Sequence, residues 1–347
     1  MNETGAHLTE SPGSARLERL LIALVLLASL LELAAPITVL SSTREVTWML
    51  AIALVYQAGY LVVLVIRFPR PHISVAMCVL SVILVAGARS SLLIELPAIF
   101  LASAGIQLSK NWIAAHAKLS SGRKTLARFS GYALAGISWL FPLTLFIALV
   151  VSAGLVTILL SRNVVVLLTP KRKRFPVDSF RGLFEFAHHA HYFAYCYVLL
   201  AIVILLGPGL SWTSGAFFVI GWLGYALFQG FLRSGGAKSM ALGHIGNAGV
   251  LGILLVAGVN YFPLLLVAWA LTGIGGGTAF LLDGFHEGPQ TLPSRESFEN
   301  LGHTVGVFSA LCAVLFLGIA GVFAVGVGFS VLAGVSAMAP RGSEIIR

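Results

Sequence analysis

Two long blocks of apolar residues, separated by a short basic segment, limit this sequence to very few folds. Residues 17–168 and 184–340 contain successive apolar runs of about 20 residues, the length that crosses a bilayer as a helix. A hydrophobic fraction of 58% with 10% charged residues lies far outside the usage of soluble domains. Because helices bond all their backbone polar groups internally, they are the usual spanning structure in lipid. We therefore predict an all-α integral membrane protein.

The distribution of Lys and Arg predicts the number of spans and their orientation. Residues 171–174, KRKR, lie between the blocks, and short cytoplasmic loops carry an excess of such cations. Residues 131–168 and 303–338 are each long enough for one span or two. Two spans in each stretch keep the basic segment in the cytoplasm, with turns near residues 152–154 and 318–321. The expected result is twelve transmembrane helices with both termini cytoplasmic.

This layout gives five parts and a possible internal repeat. We expect a cytoplasmic tail (1–16), a six-helix bundle (17–168), a basic cytoplasmic linker (169–183), a second six-helix bundle (184–340) and a tail (341–347). Only Arg44 and Arg89 of the 22 Lys and Arg residues then face outward. A shift of 171 positions places Gly105 on Gly276 and residues 82–87 on residues 253–258. Chance similarity between apolar helices is the alternative to duplication, which is typical of two-bundle transporters.

Residues 230–238, GFLRSGGAK, resemble the loop motif that the major facilitator superfamily places after helices 2 and 8. That motif is a Gly, an acidic residue and a basic cluster, and here Ser234 occupies the acidic position. The copy after the second span keeps only Arg67 and Arg70. Over its full length the chain resembles a divergent, compact member of this superfamily. The resemblance implies alternating access between two pseudo-symmetric six-helix bundles.

The resemblance also suggests gating residues in the loops. Arg67, Arg233 and Lys238 belong to the two loop motifs. Asp283 and Glu287 lie in an acidic loop after the tenth span, where they either contact the basic loop between spans four and five or are simply solvated.

Two carboxylates inside apolar spans are candidates for proton coupling. An ionisable group at the bilayer centre costs about 2.5–3.5 kcal/mol on insertion scales. Glu32 lies about midway along the first span, which lines the cavity in the resembled superfamily, and it either binds protons there or bonds a neighbouring helix. Glu95, in the outer third of the fourth span, either couples protons or pairs with Arg89.

The seventh span is the most polar one. Glu185, His188, His189 and Tyr192 follow the i, i+3, i+4, i+7 spacing of one helical face, and Tyr195 lies one turn beyond His191. These side chains could bind substrate or protons, face headgroups at the interface, or ligate a metal or haem. The first interpretation is our prediction, and we expect no resident metal or cofactor.

Aromatic and amide side chains complete the predicted substrate site, since such pockets suit small organic molecules. Ordinary helix packing is the alternative for all of them. The candidates in the second, fifth and eighth spans are Tyr56, Gln57, Tyr60, Trp139, Trp222, Tyr225 and Gln229.

No phosphate-binding loop or nucleophile triad is present, so an ATP-driven pump is excluded and we expect no enzyme. The sequence predicts a monomeric, proton-coupled secondary transporter of the cell membrane that exports a small polar or amphiphilic organic molecule. Its expected partners are that substrate, protons and the bilayer, and no nucleic acid. The alternatives are a His-ligated haem or metal oxidoreductase and a transporter-like assembly factor or sensor.

Overall fold

The computed structural model describes residues 12–40, 45–65, 71–87, 91–115, 121–139, 142–161, 179–206, 220–221, 236–277 and 295–338. The long helices of these residues are α1 (Pro12–Leu40), α2 (Val46–Val65), α3 (Pro71–Gly87), α4 (Leu92–Ala115), α5 (Ser121–Trp139), α6 (Pro142–Ser161), α7 (Ser179–Leu206), α8 (Gly236–Ala257), α9 (Phe262–Gly277) and α10 (Arg295–Ala337). No strand occurs in the described part of the chain. The all-α prediction is confirmed.

Several of these helices are long and apolar enough to cross a membrane. Five qualify by length and composition: Val46–Val63, Leu93–Lys110, Phe180–Val203, Gly236–Ala257 and Ser297–Ala337. Three shorter apolar helices accompany them, His72–Leu84, Ile147–Ser161 and Phe262–Gly273. The chain is a multi-pass membrane protein. The count of twelve spans and the side of the termini stay predictions, because most of the predicted eighth span lies outside the described residues.

The predicted turn at residues 152–154 is wrong. Helix α6 runs without interruption through these positions, and a Cβ added at Gly154 would meet nothing within 4 Å. The boundary lies instead between Trp139, the last residue of α5, and Pro142, the first residue of α6. Proline is favoured at a helix start because the N–H it lacks would have no partner there. The chain still forms two helices here, but both begin earlier than the hydropathy suggested.

Other helices extend beyond the apolar runs that predicted them. Helix α1 begins at Pro12 and α7 at Ser179, so the predicted tail (1–16) and linker (169–183) each contribute residues to a helix. Helix α4 continues to Ala115 and therefore includes Lys110, which the sequence placed at the start of a loop. Hydropathy marks where the apolar part of a helix ends, whereas the helix itself continues through the polar residues beyond it.

Helix α10 reverses direction at Gly318. This residue has φ 72°, a left-handed conformation that glycine adopts at little cost. Gly302 packs against the backbone of Phe186, and the ring of Phe329 lies 6.1 Å from the ring of the same Phe186. In a straight helix Gly302 and Phe329 would be about 40 Å apart. The two arms, residues 295–317 and 319–337, therefore lie antiparallel, with the reversal inside the predicted turn region.

Close glycine contacts recur in the two halves of the chain. In the first half, a Cβ at Gly105 of α4 would lie 2.8 Å from Cys78 Sγ on α3. In the second half, a Cβ at Gly275 of α9 would overlap Asn247 on α8. The neighbouring helix pairs α3–α4 and α8–α9 thus pack through equivalent glycines. The residue of the second half that is equivalent to Gly105 is Gly275, one position before the Gly276 that the sequence shift indicated.

A second glycine contact recurs in the two halves, with the two glycines 171 positions apart and the residues that they contact 160 positions apart. Gly131 of α5 lies against α1, where an added Cβ would be 2.7 Å from the carbonyl oxygen of Leu26. Gly302, in the first arm of α10, lies against α7 in the same way. Helices α1–α6 pack mainly against one another, as do α7–α10, and α2 contacts both α7 and α10. That contact brings the two halves together.

Helices α7 and α8 lie parallel. His188 contacts His244, and His191 contacts Asn247, so the contact register is constant along the pair. A parallel pair requires the connecting chain to return to the side from which α7 started. Gly221, from the predicted eighth span, packs against Trp269 of α9.

Candidate functional site

The two halves meet at a polar contact between α2 and α7. Gln57 Nε2 donates a hydrogen bond to the Tyr197 hydroxyl at 3.0 Å, and both residues are buried. Gln57 Oε1 has no hydrogen-bond partner among the described residues. A buried amide oxygen costs free energy unless a donor reaches it. This interface therefore contains an acceptor that a ligand donor would satisfy.

The predicted residues Tyr56 and Tyr60 lie together beside Gln57 on α2. Their hydroxyls are 3.1 Å apart, and their rings pack edge to face with centroids 5.3 Å apart. The ring of Tyr60 also contacts His303 in the first arm of α10, at 5.8 Å between centroids. Sequence reasoning placed His303 only at the start of a span. The structure makes it part of the contact between the halves.

Glu32, the predicted proton-coupling carboxylate, has a cationic partner in the structure. Lys110 Nζ of α4 lies 2.6 Å from Glu32 Oε1, and the Tyr132 hydroxyl of α5 donates to Oε2 at 2.8 Å. Lys110 also lies 5.6 Å from the centroid of the Tyr60 ring. The side chains of Lys110 and Glu32 are 32% and 17% exposed, so the protein does not fully enclose the pair. A charged site connects α1, α4 and α5 to the aromatic residues of α2.

Glu95 is placed differently from Glu32. It is buried in the first turn of α4, and its backbone N–H bonds the carbonyl of Ser91. An acidic residue is favourable there because a helix N-terminus carries partial positive charge. Its predicted partner, Arg89, lies outside the described residues.

The predicted polar face of α7 lies against several helices, and its side chains contact three of them. His188 Nδ1 lies 2.9 Å from His244 Nε2 on α8. His189 stacks on His303 of α10, with centroids 4.7 Å apart. Tyr192 stacks on Trp269 of α9, at 5.7 Å. Neighbouring helices surround α7 closely enough that residues one position apart face different partners.

Glu185 belongs to an ion-pair cluster at the start of α10. Arg295 Nε lies 3.0 Å from Glu185 Oε1 and 2.9 Å from Glu299 Oε1. Glu299 in turn lies 3.9 Å from His189 Nε2. Arg295 was assigned to a loop because the apolar run starts at His303. No hydropathy signal identifies it.

The remaining candidates are distributed as follows. Tyr195 is fully buried within the second half, and its ring contacts Trp269 edge to face at 6.1 Å. Lys238 is exposed near the start of α8. Trp139 is the last residue of α5, and its side chain is not among those that the structure describes. The candidates that fall outside the described residues are Arg67, Trp222, Tyr225, Gln229, Arg233, Asp283 and Glu287.

Comparison with known proteins gives a result only at the level of structure. No protein-family model matches the chain, and no curated protein matches it in sequence. A point variant of the nucleoside transporter NupG superposes with a TM-score of 0.57 at 13% identity, covering 92% of this chain and 99% of NupG. A second NupG crystal structure gives a TM-score of 0.51 at 12% identity, covering 93% and 97%.

The human organic anion transporter MFSD10 (TETRAN) gives a TM-score of 0.45 at 15% identity, covering 92% of this chain and 83% of that chain. The two NupG superpositions extend over nearly the whole of both chains, and at this level of identity they establish a shared fold. The resemblance inferred from the loop motif is thereby confirmed at the level of fold: the chain has the fold seen in the two NupG structures.

Proposed function

We propose that this protein is a secondary active transporter. Its two helix bundles move so that a central site opens alternately to the two sides of the membrane. The first bundle comprises α1–α6 and the second α7–α10 with the predicted eighth span. The observation that carries the proposal is the polar interface between the halves, where Gln57 bonds Tyr197 and Tyr60 contacts His303. Polar residues in an apolar protein are costly, and they mark the substrate pathway in many membrane proteins.

Glu32 and Lys110 form the coupling site in this proposal. While Glu32 is ionised, its carboxylate holds the Lys110 ammonium and accepts the Tyr132 hydrogen bond. Protonation of Glu32 removes the attraction to Lys110, which becomes free to turn toward the interface beside Tyr60. Proton binding and rearrangement of the interface are then linked through one cation. Glu95, which is buried in another turn of α4, is left out of this mechanism.

The substrate site that we propose combines the α2 residues Tyr56, Gln57 and Tyr60 with Tyr197 and His303. Tyrosine rings supply flat apolar surface, and Gln57 Oε1 supplies an acceptor. This chemistry suits a small polar or amphiphilic organic molecule with an unsaturated ring and at least one hydrogen-bond donor. NupG is a nucleoside transporter, and a nucleoside has both features, so nucleosides are the first class to test. Export driven by the proton gradient is the proposed direction.

The test uses the purified full chain in proteoliposomes with an imposed pH gradient. Radiolabelled uridine, a radiolabelled aromatic carboxylate and tetraphenylphosphonium represent neutral, anionic and cationic substrates. We expect one class to accumulate against its gradient in the wild type and to equilibrate only in the Gln57→Leu/Tyr60→Leu variant. If no class moves faster than in empty vesicles, transport of these substrate classes is refuted.

A second test does not depend on knowing the substrate. Spin labels at Arg123 and Lys238, two exposed positions in different halves, report the distance between the bundles. Alternating access predicts a distance distribution that changes between acidic and alkaline conditions and that stops changing in Glu32→Gln. One invariant distribution under all conditions would point to a sensor or assembly protein with a transporter fold.

A further inference from the structure

Three histidines of the second half converge between α7 and α8, away from the interface described above. His188 and His191 lie one turn apart on α7, and His244 faces them from α8. Their ring centroids are 5.1–5.5 Å apart. Each offers a ring nitrogen, and these three atoms all lie within 4.8 Å of one another. The constant register of the parallel α7–α8 pair produces this convergence.

The hydrogen bonds around His244 fix which of its nitrogens carries a proton. His244 Nδ1 lies 2.7 Å from the carbonyl oxygen of Met240, which can only accept a hydrogen bond. The proton therefore resides on Nδ1, and the lone pair of Nε2 points toward His188. A backbone carbonyl that holds Nδ1–H is the usual outer partner of a histidine that ligates metal through Nε2.

All three histidines of the cluster are buried, His191 and His244 completely. His191 Nε2 lies 3.3 Å from the Asn247 amide nitrogen, which also donates to the Thr272 carbonyl. Three buried imidazoles in one helix interface thus form a set of nitrogen donors of the kind that transition metals bind.

A neighbouring group on α7 and α10 resembles the histidine cluster in the spacing of its ligand atoms. Glu185, His189 and Glu299 also bring their ligand atoms close together. That group already contains a cation, because Arg295 lies about 3 Å from both carboxylates. Arg295 also acts electrostatically on His188, whereas no described Lys or Arg acts in this way on His191 or His244.

We propose that His188, His191 and His244 bind one divalent transition-metal ion of the Zn²⁺ class between α7 and α8. Imidazole ligands suit Zn²⁺, Cu²⁺, Ni²⁺ and Fe²⁺, and the absence of carboxylates among the three disfavours Mg²⁺ and Ca²⁺. A Zn–N bond of about 2.0–2.1 Å places tetrahedral ligand nitrogens about 3.3 Å apart, so small side-chain rotations close the site. Three histidines leave one coordination position for water.

The metal ties α7 to α8 and makes the second half more rigid. It does not participate in the proposed coupling between Glu32 and Lys110. The site therefore stands or falls separately from the proposed transport function.

The experiment titrates Zn²⁺ alone into tag-free, chelator-stripped full-length protein in detergent. We expect one saturable site by isothermal titration calorimetry, one Zn²⁺ per chain by elemental analysis, and a raised melting temperature. His191→Ala should lose the saturable site. His189→Gln is the matched control, because it removes the next histidine on α7 and should leave Zn²⁺ binding unchanged.

Two results would overturn the metal site. The first is a wild-type protein without stoichiometric Zn²⁺ binding, and the second is equal loss of binding in His189→Gln. If His191→Ala does not fold, His191→Cys decides, because a thiolate replaces the imidazole as a ligand. Co²⁺ should then produce a thiolate charge-transfer band that is absent from the wild type. Folded His191→Cys protein that binds Co²⁺ without this band refutes the assignment.

Discussion

The ammonium of Lys110 lies 2.6 Å from the carboxylate of Glu32, and this ion pair joins α4 to α1. Tyr132 completes the site by donating to the second carboxylate oxygen. The pair explains how two charged residues persist among apolar helices, since each provides the counter-charge of the other. In the proposed mechanism, the charge state of Glu32 also controls the position of the Lys110 side chain.

Glu32→Gln should abolish uphill transport while exchange of substrate between the two sides continues. The amide cannot release or take up a proton, so the gradient no longer drives the cycle. Transport against a gradient and counterflow are measured in the same proteoliposomes. Glu18→Gln is the matched control, because Glu18 pairs with Arg123 at the surface of the same α1–α5 contact. Undiminished accumulation in Glu32→Gln would remove this carboxylate from the mechanism.

Lys110→Met should destabilise the first half by leaving Glu32 without its counter-charge. Breaking a fully buried ion pair costs about 3–5 kcal/mol. Since Lys110 is 32% exposed and Glu32 17%, we expect about 1–3 kcal/mol after allowance for solvent screening. Equilibrium unfolding in mixed detergent micelles measures this change in the free energy of unfolding. The double variant Lys110→Met/Glu32→Gln should be more stable than the sum of the single effects predicts. Additive effects would show that the two residues do not interact.

Gln57→Leu should weaken the closed contact between the halves without unfolding either half. It removes the hydrogen bond to Tyr197, which contributes about 0.5–1.5 kcal/mol. Labels at Arg123 and Lys238 should therefore report a larger population of separated halves. Tyr197→Phe removes the same bond from the other side and should produce the same shift. If the population of separated halves rose in one variant and fell in the other, the Gln57–Tyr197 hydrogen bond would not be what holds the halves together.

Gly275→Ala should destabilise the second half, because the new methyl group would overlap the Asn247 side chain and the carbonyl oxygen of Gly243. Overpacking of this kind costs about 1–3 kcal/mol. Gly252→Ala in α8 is the control, since a Cβ there meets nothing within 4 Å. Alanine is the better helix former by about 1 kcal/mol, so the control should be slightly stabilised. If the melting temperatures of both variants changed in the same direction, the close contact of Gly275 with Asn247 and Gly243 would be refuted.

The sequence predicted the helices and the fold better than it predicted the site. Apolar runs identify spans because lipid imposes one composition on all of them, and glycine spacing gave the repeat to within one position at Gly275. Partners of polar residues are not encoded in such runs. Lys110 and Arg295 were assigned to loops because each lies at the edge of an apolar stretch. The turn at residues 152–154 was misplaced because Ser and Gly are common inside membrane helices, whereas Pro142 carried the boundary signal.

The reversal at Gly318 joins the two arms of α10 through a single residue, with helix on both sides of it. Both arms also pack against α7, the first through Gly302 and the second through Phe329. Gly318 is the pivot between the arms, because helix resumes at once on both sides of a glycine that has open space around it. A displacement of His303 in the first arm is therefore taken up by rotation at Gly318 or passed on to the second arm. One glycine thus links the contact with Tyr60 to the packing of Phe329 on α7.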